Sequence, residues 1–224
     1  MTTESPESTL EADTEFLAKR MEQWSQRPNI HFVVLYQEEQ SHLLAETLTA
    51  MSAQVYKGWT MSIIAPCKAP DPQLNEIPIF NWIQTPPEEQ QQTLKNLLND
   101  SDDIWFGCLR TGDQLDPSAL LLVVDYINAH PSWKLIYTDE NQFDKDGNIQ
   151  AQLNKPEFDK EALEKEDFLG NSLFFSRYLF EPVADFHTLL DSHQRLGLKV
   201  TEQAGDYSIG HIPVVLYHTA LENK

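Results

Sequence analysis

The sequence predicts an α/β fold, a mostly parallel sheet flanked by helices, on three observations. Beyond Pro28, short runs of β-branched and aromatic residues alternate with patterns of helical period, which is typical of strands joined by crossover helices. Of the 224 residues, 41% are hydrophobic, including 5 Trp, 7 Tyr and 11 Phe, so the chain can bury a substantial core. No internal repeat is visible, and a chain of this length is expected to form one domain with short appendages.

The elements of the first half follow from local patterns. Residues 1–14 carry acidic side chains among Ser and Thr and no basic residue, which predicts an acidic disordered tail. Within 15–28, apolar residues such as Trp24 recur near helical spacing and predict a short amphipathic helix that covers a sheet edge. Short β-branched and aromatic runs predict strands, and amphipathic stretches predict helices, one with Ser41 as N-cap and one with Pro117 in its first turn. The strands are expected at 30–36, 59–65, 77–83 and 104–109, and the helices at 41–54, 90–98 and 117–129.

The second half is less regular. The run LIYT predicts a strand at 135–138, and the acidic stretch Asp144 to Gly147 is interpreted as a β-hairpin turn because it lacks the remaining oxygen ligands of a calcium loop. The main domain is expected to span 29–218, which leaves 219–224 as a C-terminal tail. Within it, 168–176 is expected to be extended, 189–203 helical and 209–217 the last strand.

Composition excludes several classes of function. With 16 basic and 35 acidic residues the net charge is −19, and such a surface repels phosphate backbones and anionic lipids, so no nucleic-acid partner is expected. Cys67 and Cys108 are too few for a disulfide scaffold and show no zinc-site spacing, which favours a reducing compartment. No signal sequence and no apolar run of about 18 residues is visible, so we expect a cytoplasmic chain without a membrane span.

The loops that follow the predicted strands are the candidate site. In open α/β sheets, ligands bind beyond the carboxyl ends of the strands. The loops expected to converge there contain Tyr36 and Gln37, Ala65 and Pro66, the stretch 110–113, and the pair Asp139 and Glu140.

Three segments in the same order resemble a known family. They are Thr47 to Ile64 (TLTAMSAQVYKGWTMSII), Leu115 to Asn148 (beginning LDPSALLLVVDYINAHPSWKLIYTDEN), and His211 to His218 (HIPVVLYH). Over about 30–218 the chain is similar to the family 2 glycosyltransferases of bacterial polysaccharide and O-antigen synthesis. The resemblance implies a GT-A fold, a nucleotide-sugar as donor and sugar transfer as the reaction.

The family's chemistry depends on carboxylates that this chain largely lacks. Family members hold a divalent metal with an Asp-x-Asp motif, because the metal neutralises the departing nucleoside diphosphate, and an acidic base deprotonates the acceptor hydroxyl. Aligned on the family pattern, Ala65 and Pro66 replace the acidic pair that holds the nucleoside. Arg110 and Gly112 replace the two motif aspartates, so that Asp113 alone remains.

The resemblance assigns candidate roles residue by residue. His193 falls at the base position, and Asp139 and Glu140 retain an acidic pair that would contact sugar or acceptor, or serve as ordinary turn residues. His218 matches a histidine that completes the metal shell in some members, although a structural role is the alternative. Mn²⁺ or Mg²⁺ is therefore expected only if Asp113, with His218, suffices to hold it. The candidate nucleotide-sugar contacts are Tyr36, Gln37, Ala65, Arg110 and Asp113.

Three functional hypotheses follow. The first is a glycosyltransferase-like protein of bacterial glycan or protein-glycosylation pathways whose metal-dependent transfer is impaired or lost. The second is an active metal-independent transferase, in which Arg110 stabilises the departing diphosphate and His193 is the base. The third is a non-catalytic scaffold or regulatory partner of other glycosylation proteins, which would dock through its acidic surface and the helix around Trp24.

Overall fold

A computed structural model describes residues 19–37, 41–100, 105–144, 146–179 and 193–221, so the predicted tail 1–14 lies outside the described residues. Within these ranges the strands are β1 Ile30–Leu35, β2 Trp59–Ala65, β3 Phe80–Gln84, β4 Trp105–Arg110, β5 Gln114–Leu115, β6 Leu135–Phe143, β7 Ile149–Leu153, β8 Leu173–Ser176 and β9 Ile209–Ala220. The helices are α1 Ser41–Ser52, α2 Pro87–Asp100, α3 Ala119–Ala129, α4 Lys160–Lys165 and α5 His193–Ala204.

The described strands form one sheet of order β3-β2-β1-β4-β8-β6-β9-β5, with β7 paired to β6. Strands β3, β2, β1 and β4 are parallel, and Leu35 of β1 lies opposite Ile64 of β2 and Arg110 of β4. This register brings the carboxyl ends of the four strands to one edge. Every residue of β1 but the last is buried, as expected for a strand covered on both faces. The structure confirms the predicted α/β sheet.

The second half of the sheet is mixed. Strand β8 runs antiparallel between β4 and β6, while β9 runs parallel to β6 and antiparallel to the short β5. Strands β6 and β7 form an antiparallel hairpin, which confirms the predicted turn after Asp144. The Asp144 carboxylate accepts hydrogen bonds from the backbone N–H groups of Asp146 and Asn148, so it stabilises the turn itself.

Helices cover both faces of the sheet. One core cluster joins α1 and α3 to side chains such as Phe32 and Ile63. The other joins α2, α4 and α5 to the opposite face, through side chains such as Val33 and Phe106. Consecutive residues of β1 therefore contribute to opposite clusters, as the pleat of a strand requires.

The segment before β1 packs on α3. Residues 19–22 form a helical turn, and Nε and a terminal nitrogen of Arg20 donate to the Asp125 carboxylate at 2.9 and 2.6 Å. The Trp24 indole N–H donates to the same carboxylate at 2.9 Å, and its ring meets Tyr56 edge-on at 5.9 Å. The contacts are thus with α3 and with Tyr56 in the loop before β2, whereas the sequence predicted cover for a sheet edge. Trp24, the predicted docking handle, is engaged within the chain.

Several element boundaries differ from the sequence prediction. Strand β3 begins at Phe80 because residues 77–79 form a turn, in which the Phe80 N–H donates to the Ile77 carbonyl at 3.0 Å. Helix α2 begins at Pro87, since a proline fits the first turn of a helix. Strand β6 continues to Phe143 because β9 and β7 pair with its second half, and β9 itself runs to Ala220. Helix α4 and the short strand β5 were not predicted from the sequence.

Candidate functional site

The carboxyl edge of β1, β2 and β4 gathers the residues predicted to contact a nucleotide-sugar. Tyr36 and Gln37 follow β1 directly, Ala65 ends β2 and Arg110 ends β4. The parallel register places these ends side by side, as the sequence predicted for strands joined by crossover helices.

The side chains at this edge differ sharply in exposure. Tyr36 is 1% exposed, and its ring packs edge-on against Trp82 with centroids 5.0 Å apart. Ala65 is fully buried, and its carbonyl oxygen accepts from the backbone N–H of Thr85 at 2.8 Å. Gln37 and Arg110 are exposed. Tyr36 and Ala65 therefore lie beneath the surface of this edge. The side chains that a ligand can reach are those of Gln37 and Arg110.

A tight turn after β4 carries Asp113 into the fold. The Asp113 N–H donates to the Arg110 carbonyl at 3.0 Å, and Gly112 has a φ of +98°, a conformation that favours glycine. The hydroxyl of Thr47 on α1 accepts from the Gly112 N–H and donates to the Asp113 carbonyl, both at 2.9 Å. The turn is thus held by α1.

The carboxylate of Asp113 is enclosed and engaged. It is 2% exposed, its Oδ2 accepts from the Tyr217 hydroxyl at 2.6 Å, and its Oδ1 accepts from the Ala220 N–H at 3.1 Å. Burial raises the pKa of Asp113 to about 6, although the two hydrogen bonds oppose the shift. Tyr217 and Ala220 both belong to β9, so the last strand encloses the aspartate that the family resemblance assigns to the metal motif.

Asp139 and Glu140 lie within β6, where internal partners engage both carboxylates. Oε2 of Glu140 accepts from the Lys155 ammonium at 3.0 Å and from the Asn171 N–H at 2.9 Å, in an ion pair whose side chains are 3% and 4% exposed. Burial lowers the pKa of Lys155, and its attraction to Glu140 opposes the shift. Oδ1 of Asp139 accepts from the Lys155 N–H and lies 2.9 Å from Nε2 of His211. These contacts join β6 to the chain after β7.

His193 and His218 lie in different parts of the fold. His193 is buried in the first turn of α5, where the N–H of Gln194 donates to the Asp167 carboxylate at 2.8 Å and α5 packs on α4. His218 lies on β9, and its Nδ1 is 2.7 Å from the side-chain oxygen of Asn141 on β6. Burial lowers the pKa of His218, with Asp116 opposing the shift. A neutral imidazole is therefore expected near neutral pH.

The donor set fits a divalent metal poorly. Magnesium and manganese prefer several carboxylate oxygens, and Asp113 has both of its oxygens hydrogen-bonded inside the fold. Across the described ranges, no group of three or more His, Cys, Asp or Glu side chains is placed to hold a metal ion. The positive φ of Gly112 also disfavours an aspartate at that position.

Two features beside these residues were not predicted from the sequence. The first is Lys155, the buried ion-pair partner of Glu140. The available signal for such a pair was a basic residue shortly after the hairpin in a chain with few basic residues. A cavity of about 290 Å³ also opens beside His218, and nothing in the local pattern marked its lining, because the residues come from four separate strands and a turn. The lining is Gln114, Asn141, Phe143, Gly147, Ile149 and His218.

Two curated proteins are related to this chain in sequence, although no family model matches it. Uncharacterized protein y4gI of Sinorhizobium fredii is 27% identical over 202 residues, which cover 85% of this chain and 22% of that protein. O-antigen biosynthesis protein RfbC of Myxococcus xanthus is 26% identical over 209 residues, which cover 87% of this chain and 16% of that protein. The chain thus spans about a fifth of the length of the curated relatives it matches. No helix in the described ranges is long and apolar enough to cross a bilayer.

Solved structures resemble the fold over most of the chain. S. aureus TarS 1–349 superposes with a TM-score of 0.61 at 12% identity, covering 86% of this chain and 60% of that one. The mannosyltransferase PcManGT from Pyrobaculum calidifontis, in complex with GDP-Man and Mn²⁺, superposes with a TM-score of 0.62 at 14% identity, covering 97% and 67%. At sequence identities this low, the similarity shows only that the folds are alike. The shared fold is a mostly parallel sheet flanked by helices. This chain therefore has the GT-A-like fold of glycosyltransferases.

Proposed function

We propose that this chain is a glycosyltransferase-like protein of bacterial glycan or protein-glycosylation pathways that binds a nucleotide-sugar, and that its metal-dependent sugar transfer is impaired or lost. The observation that carries the proposal is the enclosure of Asp113, the last of the motif aspartates, by Tyr217 and Ala220. A carboxylate that is 2% exposed and hydrogen-bonded on both oxygens is a poor ligand for a metal at the sheet edge.

The loss of a metal ligand matters because of the charge that sugar transfer develops. Sugar transfer from a nucleotide-sugar expels a nucleoside diphosphate, whose negative charge must be stabilised as the bond breaks. At this edge the exposed charged group next to the turn is Arg110, and a guanidinium can hold a diphosphate through paired hydrogen bonds. Binding of the nucleotide-sugar can therefore persist while metal-assisted departure is lost.

The comparisons support nucleotide-sugar binding by analogy. TarS has been solved in complex with UDP-GlcNAc and with UDP, and PcManGT with GDP-Man and Mn²⁺. One curated relative is described as an O-antigen biosynthesis protein. Because sites rather than folds carry chemistry, the residues at the edge decide whether this chain binds a nucleotide-sugar.

Calorimetric titration with UDP-, GDP- and dTDP-sugars, with Mn²⁺ and with EDTA, tests the proposal. We expect one of these donors to bind equally well in both buffers, and Arg110→Ala to weaken it about tenfold, as expected for a lost charge-assisted contact. Lys57→Ala removes an exposed positive charge just before β2, at the opposite edge of the sheet, and is the matched control. Binding that requires Mn²⁺, together with nucleoside diphosphate release on adding an acceptor, would overturn the proposal.

A metal-independent transferase is the second candidate, because Arg110 is exposed at the edge where a diphosphate would lie. Arg110→Ala and His193→Ala should then each abolish turnover measured in EDTA. His130→Ala, which changes an exposed histidine at the C-terminal end of α3, should leave turnover intact. Equal rates for all three variants and the parent would exclude this candidate.

A further inference from the structure

The cavity beside His218 combines a polar row with an apolar wall. Gln114 of β5 and Asn141 of β6 both lie opposite His218 of β9, so the three side chains share one face of adjacent strands. Phe143 and Ile149, from the two arms of the β6–β7 hairpin, line the same cavity. At about 290 Å³, it lies near the lower end of the range of small-molecule sites.

The hydrogen bond between His218 and Asn141 sets the pattern of the polar row. An amide oxygen can only accept, so the 2.7 Å contact requires that Nδ1 of His218 carry the proton. Nε2 is then an acceptor, and the Asn141 amide keeps its N–H donors. An acceptor beside a donor is what a hydroxyl group needs, because a hydroxyl donates one hydrogen bond and accepts others.

The charges of the lining restrict the class of ligand. Gln114 and Asn141 carry neutral amide side chains, and the third polar group, His218, lies 2.7 Å from the Asn141 side-chain oxygen. A divalent cation would require anionic oxygens, and a phosphate would require cations to offset its charge, but none of the described residues that line the cavity is an Asp, Glu, Lys or Arg. A sugar ring suits both sides of the cavity. Its hydroxyl groups can hydrogen-bond to the polar row, and its C–H face can pack on the apolar wall.

We propose that this cavity is a metal-free subsite for a neutral sugar residue, in which Asn141 and His218 hold one hydroxyl group and Phe143 and Ile149 cover a C–H face. The inference deepens the proposed function and rests on it for the source of the sugar, either the donor nucleotide-sugar or an acceptor glycan. Gln114 directly follows Asp113, so the cavity adjoins the turn at the nucleotide edge.

Titrations in EDTA with paired probes test the subsite. UDP-GlcNAc is compared with UDP, and GDP-mannose with GDP, while free N-acetylglucosamine and mannose are followed by saturation-transfer NMR. Asn141→Ala and His218→Ala remove the hydroxyl partners. Ile149→Ser alters the apolar wall at a position that is 62% exposed, where folding is not at risk. Gln152→Ala is the matched control, because Gln152 lies opposite Asn141 on β7 but does not line the cavity.

Each result has a defined meaning. We expect the three cavity variants to weaken a nucleotide-sugar about tenfold, with the nucleotide alone and Gln152→Ala unaffected. Weakening confined to the free sugars also supports the subsite and assigns it to the acceptor. If a nucleotide-sugar binds no more tightly than its nucleotide and free sugars do not bind, the subsite is overturned while the proposed function stands. If the free sugars bind, and the cavity variants weaken that binding, but no nucleotide or nucleotide-sugar binds, the proposed function fails and the subsite stands. If none of the probes binds, both are overturned.

Discussion

The enclosure of Asp113 predicts an unusual pH dependence of stability for Asp113→Asn. The buried carboxylate has a pKa of about 6 in the folded chain, against an ordinary value of 3.8. Asparagine has the same shape but does not ionise. It can still accept from the Ala220 N–H, so the substitution removes the ionisation while it keeps much of the local packing.

The magnitude and sign follow from linkage between proton binding and folding. Because the pKa is higher in the folded state, that state binds more protons between about pH 4 and pH 6, and stability falls as the pH rises through this window. A tenfold change in an ionisation constant is worth about 1.4 kcal/mol, so the full effect is about 3 kcal/mol, and about 2 kcal/mol of it falls between about pH 4.5 and about pH 7.5. Relative to the parent, Asp113→Asn should therefore gain about 2 kcal/mol over that interval.

Urea denaturation followed by tryptophan fluorescence measures this difference. Parent and variant are unfolded at several pH values, and the difference between their free energies of unfolding is plotted against pH. Comparison with the parent cancels the general effect of titrating so acidic a chain. Asp146→Asn, at an exposed position in the hairpin turn, removes the same formal charge and should give a nearly flat difference.

Two results would refute this reasoning. A flat difference for Asp113→Asn would mean that the carboxylate is as well solvated in the folded chain as in the unfolded one. A difference that falls as the pH rises would mean that the hydrogen bonds from Tyr217 and Ala220 outweigh burial, so that the folded chain favours the ionised form.

Three further predictions concern buried groups. Lys155→Met should lower the free energy of unfolding by about 3 to 5 kcal/mol, because it leaves Glu140 buried without its cation, and adding Glu140→Gln should recover part of the loss in urea titrations. Gly210→Ala should lower the midpoint of thermal unfolding, because the added Cβ would lie 2.0 Å from the Trp133 ring. Adding Trp133→Ala to that variant should relieve the clash. An unchanged midpoint for Gly210→Ala alone would contradict this. Burial raises the pKa of Cys108 to about 12, so a thiol reagent should modify at most one of the two cysteines before denaturation and both afterwards.

Much of the fold could be predicted from the sequence because its elements are signalled locally. The run WTMSIIA predicted β2 with the observed bounds, and the β-branched and aromatic run from Ile30 predicted β1 to within a residue. The convergence of Tyr36, Ala65 and Arg110 at one edge followed from the rule that parallel strands align their carboxyl ends. The hairpin after Asp144 was predictable in the same way, from its turn residues.

What the retained carboxylates do was decided by contacts between distant parts of the chain. The sequence by itself determined that the chain alternates strands and helices, and its resemblance to a family predicted that only Asp113 remains of the metal motif. Whether Asp113 faces a ligand or the interior depends on Tyr217, 104 residues away, and the partners of Glu140 come from segments after β7 and before β8. Such pairings bring together residues whose local patterns carry no information about each other, so only the tertiary structure decides which charges are buried and which cavity remains open.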